Sequence, residues 1–182
     1  MIVRLLLASL LLAFTGLSVA APPATAANGL ADFDFEIGTW KVHHRYLKTQ
    51  PDGKQQWIEF EGTSVMRKIM DGLANLEENV FNTATGVRRG VALRSFDREK
   101  GTWAIWWLDE RFPHGAMDPP VIGKFENGIG SFYSESVVNG KSVRTRYQWS
   151  HITATSAQWD QASSTDGGET WLPNWIMTFT RQ

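Results

Sequence analysis

Residues 129–150 read IGSFYSESVVNGKSVRTRYQWS, and this stretch decides the fold. Two segments with alternating side chains, 129–138 and 142–152, lie on either side of the dipeptide Asn139-Gly140. Asn-Gly in this position is typical of a two-residue hairpin turn, because both residues readily adopt the positive φ that the turn requires. The stretch therefore predicts two neighbouring antiparallel strands.

The same pattern extends in both directions from this hairpin. At a spacing of about 12 residues it predicts ten strands, with almost no helical periodicity, over 35–48, 56–69, 75–84, 90–96, 102–110, 121–125, 129–138, 142–152, 156–163 and 171–181. Short turns such as Asp71-Gly72 and Thr85-Gly86 join most of them. Consecutive hairpins favour a barrel over a sandwich, which needs longer crossovers. We therefore expect an all-β, antiparallel up-and-down barrel of about ten strands.

The two ends of the pattern indicate that the barrel closes. Gly38-Thr39-Trp40 lies on the first predicted strand and Arg181 ends the last. Closure makes these strands neighbours, so the guanidinium can stack on the Trp40 ring and cover one end of the barrel. This arrangement resembles that of the lipocalin and fatty-acid-binding (calycin-like) barrels.

Further stretches make the chain similar to a group of uncharacterised bacterial proteins of the domain-of-unknown-function type. They are residues 32–35, 38–44, 78–81, 89–91, 106–109, 118–121 and 171–181. The resemblance implies a lipocalin-like barrel over nearly the whole predicted domain. It supplies no activity and no catalytic residues.

The N-terminal segment has the parts of a secretory signal. Arg4 supplies a positive charge, residues 5–17 are apolar, and Ser18-Val19-Ala20 offers small side chains for cleavage. The apolar run is shorter than the ~20 residues of a transmembrane helix. We expect residues 1–21 to be a signal peptide, 22–31 a flexible tail and 32–182 a single β-barrel domain that is periplasmic or secreted. An uncleaved membrane anchor is the alternative.

The composition argues against several classes of protein. Among 182 residues, 18 basic and 19 acidic side chains give a net charge of −1, which favours neither nucleic acid nor an anionic membrane surface as a partner. The chain has no cysteine, so burial must provide its stability without disulfides. Nine Trp and ten Phe provide a large apolar area for that burial. The sequence leaves the oligomeric state open.

Polar side chains within the strands indicate where a binding site would lie. Side chains alternate between the two faces of a strand, and a ten-stranded barrel has more interior than its side chains fill. Inward polar residues would therefore line a cavity together with aromatic ones. The candidates for this lumen are Trp40, His44, Glu61, Glu78, Arg94, Trp107, Asp109, Tyr147 and Trp175.

Residues 164–171, STDGGETW, match the Asp-box pattern of sialidase-type propellers. A propeller repeats such a unit in every blade, whereas this chain contains it once. We therefore expect a structural role, in which Asp166 accepts backbone N–H bonds within the last hairpin and Trp171 packs beneath it.

The four histidines do not form a metal-binding pattern. His43 and His44 are adjacent, so a strand directs them to opposite faces. The sequence has none of the His-x-His or His-Glu-x-x-His spacings of zinc sites, and it lacks cysteine. His44 alone could ligate a haem iron, but the sequence favours neither a metal nor a cofactor.

Three functions remain open at this point. The first is an exported barrel that binds a small hydrophobic or amphipathic ligand in an aromatic lumen, with loop 111–120 controlling access. The second is a cofactor-independent hydratase, isomerase or lyase in which a buried Glu61, Glu78 or Asp109 has a raised pKa. The third is a packed structural or interaction module.

Overall fold

A computed structural model of the protein describes residues 29–182. The predicted signal peptide and most of the predicted tail lie outside the described residues. Ten strands follow one another: β1 Gly38–Thr49, β2 Gln55–Ile69, β3 Ala74–Thr83, β4 Gly86–Asp97, β5 Thr102–Asp109, β6 Val121–Glu126, β7 Ile129–Val138, β8 Lys141–Ser150, β9 Ser156–Ser164 and β10 Leu172–Arg181. Two short 3-10 turns, Asp34–Glu36 and Met70–Gly72, precede β1 and β3.

The strands form one closed antiparallel barrel in which each strand pairs with the next and β1 pairs with β10. Trp40 lies opposite Arg181 in the closing ladder, and the guanidinium carbon is 4.2 Å from the centroid of the Trp40 ring. Arg181 also donates hydrogen bonds to the carbonyl oxygens of Ala154, Ile37 and Phe35. The predicted up-and-down barrel and the predicted stacking are both confirmed.

Several strand boundaries differ from the prediction. Phe35, predicted to begin the first strand, lies instead in the 3-10 turn Asp34–Glu36. β4 begins at Gly86, earlier than predicted, because the turn between β3 and β4 is tight enough for Thr83 to pair with Gly86. β8 ends at Ser150 because His151 has a φ of 51°, which does not continue a strand.

One end of the barrel is filled by aromatic side chains. The fully buried Phe33 ring lies at the centre, 5.1 Å from the Trp103 ring and 5.0 Å from that of Phe125. Trp103 Nε1 donates to the carbonyl oxygen of Gly29 (3.0 Å), so the last residues of the predicted tail pack on this end. We call this end, around Phe33, the closed end.

The hairpin between β9 and β10 has the structural role that the sequence predicts. The Asp166 carboxylate accepts hydrogen bonds from the Thr170 amide, 3.0 Å away, and from the Ser164 hydroxyl, 2.6 Å away. Trp171 lies under the guanidinium of Arg146, which is 4.8 Å from its ring centroid. This confirms the interpretation of the Asp-box stretch as a folded hairpin.

The wall of the barrel is incomplete near the opposite end. β5 pairs with β6 through three residues, Trp103–Ile105, so its later residues have β4 as their neighbour and no partner in β6. Pro119 and Pro120 precede β6, and proline has no N–H to continue the ladder. Loop 110–120 therefore lies beside the gap. Within the described part of the chain, no helix has the length and apolar character needed to cross a membrane.

Candidate ligand cavity

A cavity of about 300 Å³ lies inside the barrel beyond the closed end. Its walls are mainly apolar, with four tryptophans and two phenylalanines among the residues Phe81, Ala92, Ile105, Trp107, Pro119, Val121, Trp149, Trp159, Trp175, Met177 and Phe179. Its polar lining residues are Glu77, Asn79, Arg94, Asp118, Tyr147 and Gln161. The size and the mixture of aromatic walls with a few polar groups are typical of a small-molecule site.

Gly90 allows the ring of Trp107 to lie in the wall of the cavity. A Cβ atom on Gly90 would lie 2.2 Å from Cζ2 of Trp107, so the indole ring lies directly against this backbone. Gly90 on β4 pairs with Asp109 on β5, two residues beyond Trp107. The absence of a side chain on β4 therefore allows the ring to lie across the strand and line the cavity.

The structure brings several of the predicted lumen residues together. Arg94, Trp107, Tyr147 and Trp175 all line the cavity. His44 lies beside it, where its Nδ1 accepts a hydrogen bond from Trp175 Nε1 (3.3 Å). Their role in binding a ligand stays a prediction.

Two other predicted residues face the interior away from this cavity. Trp40 is fully buried in the core at the closed end, where it packs against Phe179. Asp109 lies at the opposite end, in the lining of a second, wider cavity of about 600 Å³ that we call the mouth. The predicted residues thus span the length of the barrel.

Glu61 and Glu78 do not face the lumen, and their assignment to it is wrong. Both side chains are exposed on the outer face, where Glu61 accepts a hydrogen bond from His43 (2.9 Å). This hydrogen bond holds the pKa of the Glu61 carboxyl below its usual value. The inner face of β2 instead carries Gly62, which has no side chain, and Ser64, whose small side chain does not stand out as an interior one in the sequence.

Glu77, which is not among the residues predicted from the sequence, is the carboxylate that does line the cavity. Its strand β3 directs Asn75, Glu77 and Asn79 inward, and all three are buried. Apolar side chains usually mark the inward face of a strand. In β3 the inward side chains are polar, so the alternation predicts that they face outward. The inward neighbour Arg94 on β4 is the one sequence signal that could have identified this face.

Glu77 and Arg94 belong to a buried ionic network at the floor of the cavity. Arg94 donates to Glu77, and its Nη1 donates to Asn75 Oδ1 (3.1 Å). The other oxygen of Glu77 accepts a hydrogen bond from the Ser64 hydroxyl (2.7 Å). Glu36 completes the network: its Oε1 accepts a hydrogen bond from Arg94 Nη2 (3.4 Å), and its Oε2 lies 3.0 Å from Arg94 Nη1.

Burial raises the pKa of the Glu36 carboxyl well above its ordinary value, and the neighbouring Glu77 carboxylate adds to this effect against the opposing charge of Arg94. A protonated Glu36 leaves the network with one carboxylate and one guanidinium. The floor of the cavity is then electrically balanced, which a buried cluster requires.

The state of Glu36 predicts how stability depends on pH. Because its pKa is higher in the folded protein than in the unfolded chain, its contribution to stability is complete below about pH 4.5 and is lost as the pH rises. We expect Glu36→Gln, which resembles the protonated form, to remove this loss. Urea unfolding of both proteins from about pH 5 to pH 8, followed by tryptophan fluorescence, measures the effect. Equal pH slopes for the two proteins would contradict the assignment.

His44 is held among aromatic rings on the inner face of β1. Its ring stacks on Phe60 with a centroid distance of 4.6 Å and an angle of 11°, and Phe81 lies 5.2 Å away. Burial lowers the pKa of His44 to about 4, and electrostatic repulsion from His43 contributes. His44 is therefore neutral near pH 7, which suits its role as the acceptor for Trp175.

Asp109, the predicted acid–base candidate at the mouth, is bound by a neighbour. Arg111 Nε donates to Asp109 Oδ1 (2.9 Å), and this pairing lowers the pKa of the Asp109 carboxyl to about 2. Such a carboxylate is a weak proton acceptor. Among residues 29–182, no group of three or more His, Asp or Glu side chains has the arrangement of a metal site.

No protein-family model matches the chain, and no curated protein does. Among solved structures, the S-type phycobiliprotein lyase CPES from Guillardia theta is similar, with 10% identity over 82% of this chain and 90% of that chain and a TM-score of 0.51. A de novo designed fluorescence-activating β-barrel has a TM-score of 0.42, with 15% identity over 82% of this chain and 95% of its own. A DUF3598 protein of unknown function from Nostoc punctiforme has a TM-score of 0.23, with 9% identity over 85% of this chain and 99% of its own. The likeness to the lyase is one of fold.

Proposed function

We propose that the protein is an exported barrel that binds a small, partly apolar molecule in its lumen. The observation that carries this proposal is the cavity of about 300 Å³ between the closed end and the mouth. A cavity of this size among well-packed side chains is unusual unless it serves a ligand, because protein interiors are otherwise close-packed.

The side chains around the cavity suit a molecule with ring systems. The rings of Trp159 and Trp175 lie 5.6 Å apart at an angle of 89°, and Tyr147 lies 6.1 Å from Trp159. Rings at these angles offer both faces and edges to an aromatic or conjugated ligand. Asn79 and Gln161 add neutral hydrogen-bonding groups that would fix the ligand's orientation.

The other two functions suggested by the sequence have less support. Glu61 and Glu78 lie outside the barrel and Asp109 is paired with Arg111, so the carboxylates named for catalysis do not meet in one site. Glu77 has both oxygens engaged, by Ser64 and Arg94. A packed module requires a filled interior, which the cavity contradicts.

Export and a lipocalin-like classification also belong to this proposal. The signal-like segment 1–21 supports export to the periplasm or the medium. The closing contact between Trp40 and Arg181 supports the classification.

A larger side chain that fills part of the lumen tests whether a ligand binds there. Ala92 lines the cavity and is buried, so Ala92→Phe would occupy part of the space that a ligand needs. We expect the variant to bind the neutral fluorescent probe N-phenyl-1-naphthylamine at least about tenfold more weakly than the wild type. Fluorescence titration measures the affinity, and native mass spectrometry of protein purified from its own host would detect a retained ligand.

The matched control is Ala104→Phe. Ala104 lies on β5 one residue after Trp103 and therefore faces outward. This variant should bind the probe as the wild type does. A wild-type protein that binds no probe, or an Ala92→Phe variant that binds as well as the control, would refute binding in the lumen.

A further inference from the structure

We propose that the ligand is an amphipathic anion, with its apolar part in the cavity and its acidic group, such as a carboxylate or sulfonate, at the mouth. This inference rests on the proposed function and adds the charge and the orientation of the ligand. It follows from the distribution of charge along the barrel.

The mouth is continuous with the cavity and is basic. Phe81, Trp107 and Trp175 line both spaces, so one molecule can extend from one into the other. The charged residues in the lining of the mouth are Lys48, Arg88, Arg89, Arg111 and Asp109. Four cations and one carboxylate therefore surround the opening.

Two of these cations are free to bind a ligand. Arg111 pairs with Asp109, and Arg89 Nη1 lies 3.9 Å from the Glu110 carboxylate. Within residues 29–182, the side chains of Lys48 and Arg88 have no ion pair or hydrogen bond. Unpaired cations beside an aromatic cavity form a suitable site for an acidic group.

Both free cations lie on the inner face of the wall. Side chains two residues apart on a strand face the same way. Lys48 therefore faces the same way as Tyr46 on β1, and Arg88 faces the same way as Gly90 on β4. Arg88 pairs with Phe81, and the Phe81 ring also lines both spaces. An acidic group held here would stay close to rings bound deeper in the barrel.

The reverse orientation, with the acidic group of the ligand at the floor of the cavity, is unfavourable. Arg94 already donates hydrogen bonds to Glu77, Asn75 and Glu36, so its charge is balanced by groups of the protein. Its Nε retains one unused N–H, which suits a neutral acceptor. A ligand carboxylate at the floor would lie next to the Glu77 carboxylate, and like charges in a buried site repel strongly.

Two probes with the same ring system test the orientation. 8-Anilinonaphthalene-1-sulfonate carries an acidic group, whereas N-phenyl-1-naphthylamine is its neutral counterpart. We expect Lys48→Gln combined with Arg88→Gln to weaken binding of the sulfonate about five- to tenfold and to leave the neutral probe within about twofold. Added salt should weaken binding of the sulfonate by wild-type protein in the same selective way.

The control removes two positive charges elsewhere. Arg67 and Arg98 lie near the closed end, so Arg67→Gln with Arg98→Gln should change neither affinity. If the mouth variant weakens both probes equally, or if the control weakens the sulfonate as much, the orientation is wrong although lumen binding stands. If wild-type protein binds neither probe, the proposed function fails and this inference fails with it.

Discussion

Replacement of Arg94 by methionine is expected to lower the free energy of unfolding by about 3–5 kcal/mol. Arg94 is 3% exposed and is the cation in contact with the buried Glu36 and Glu77. Methionine has a similar length but no charge, so the variant would leave two carboxyl groups close together without a partner. Urea unfolding monitored by tryptophan fluorescence measures the difference.

The pH dependence of this loss of stability distinguishes an electrostatic cause from a simple packing defect. In the Arg94→Met variant, the buried negative charge that has lost its cation should be neutralised as the pH falls, so the variant should regain stability relative to the wild type. Adding Glu36→Gln and Glu77→Gln to the Arg94→Met variant should restore part of the lost stability at neutral pH. Arg67→Met, on the exposed outer face, should change stability by no more than about 0.5 kcal/mol. A loss that stays constant with pH would argue against an electrostatic cause.

Acidification should destabilise the protein through His44 by up to about 3 kcal/mol. The unfolded chain binds a proton at this residue near pH 6.5, whereas the folded protein does so only near pH 4. The unfolded state therefore binds more protons between these values, and stability is lost as the pH falls from 6.5 to 4. This dependence is opposite in sign to that of Glu36, so the two groups need separate variants.

The variant His44→Asn isolates this effect. Asparagine cannot bind a proton in this range, and its Oδ1 can replace Nδ1 as the acceptor for Trp175. The smaller side chain should cost stability at every pH, but the slope between about pH 6.5 and pH 4 should become flatter. His114→Asn is the control, because His114 is exposed in loop 110–120, away from His44. Equal slopes for the wild type and His44→Asn would contradict a neutral, buried His44.

The architecture could be predicted because its signals are local. Asn139-Gly140 specifies one hairpin through its backbone preferences, and alternation within β1 identifies Trp40, Val42 and His44 as interior residues. Trp40 and Arg181 then indicate closure, since each has its partner at the other end of the chain.

The polar part of the site could not be predicted in the same way. Glu77 faces inward because Arg94 on the next strand and Ser64 on the previous one satisfy it, and this pairing depends on the register between strands. The alternation in β2 predicts an inward Glu61 because the inward residue next to it, Gly62, has no side chain to reveal the face. That glycine is needed because a Cβ atom there would lie 2.4 Å from the carbonyl oxygen of Val80 and 2.7 Å from Nε2 of His44.

The three-residue ladder between β5 and β6 has a consequence for how molecules reach the lumen. Above Ile105 the wall lacks the hydrogen bonds that elsewhere hold adjacent strands together, and a loop segment containing Asp118 and Pro119 borders the cavity there. Strands without a ladder can separate without breaking backbone hydrogen bonds, so we expect the barrel to widen more readily at this seam than elsewhere in its circumference. For a ligand of the proposed kind, we then expect the proline segment at this seam, more than the diameter of the ten-stranded ring, to limit the size that the lumen accepts.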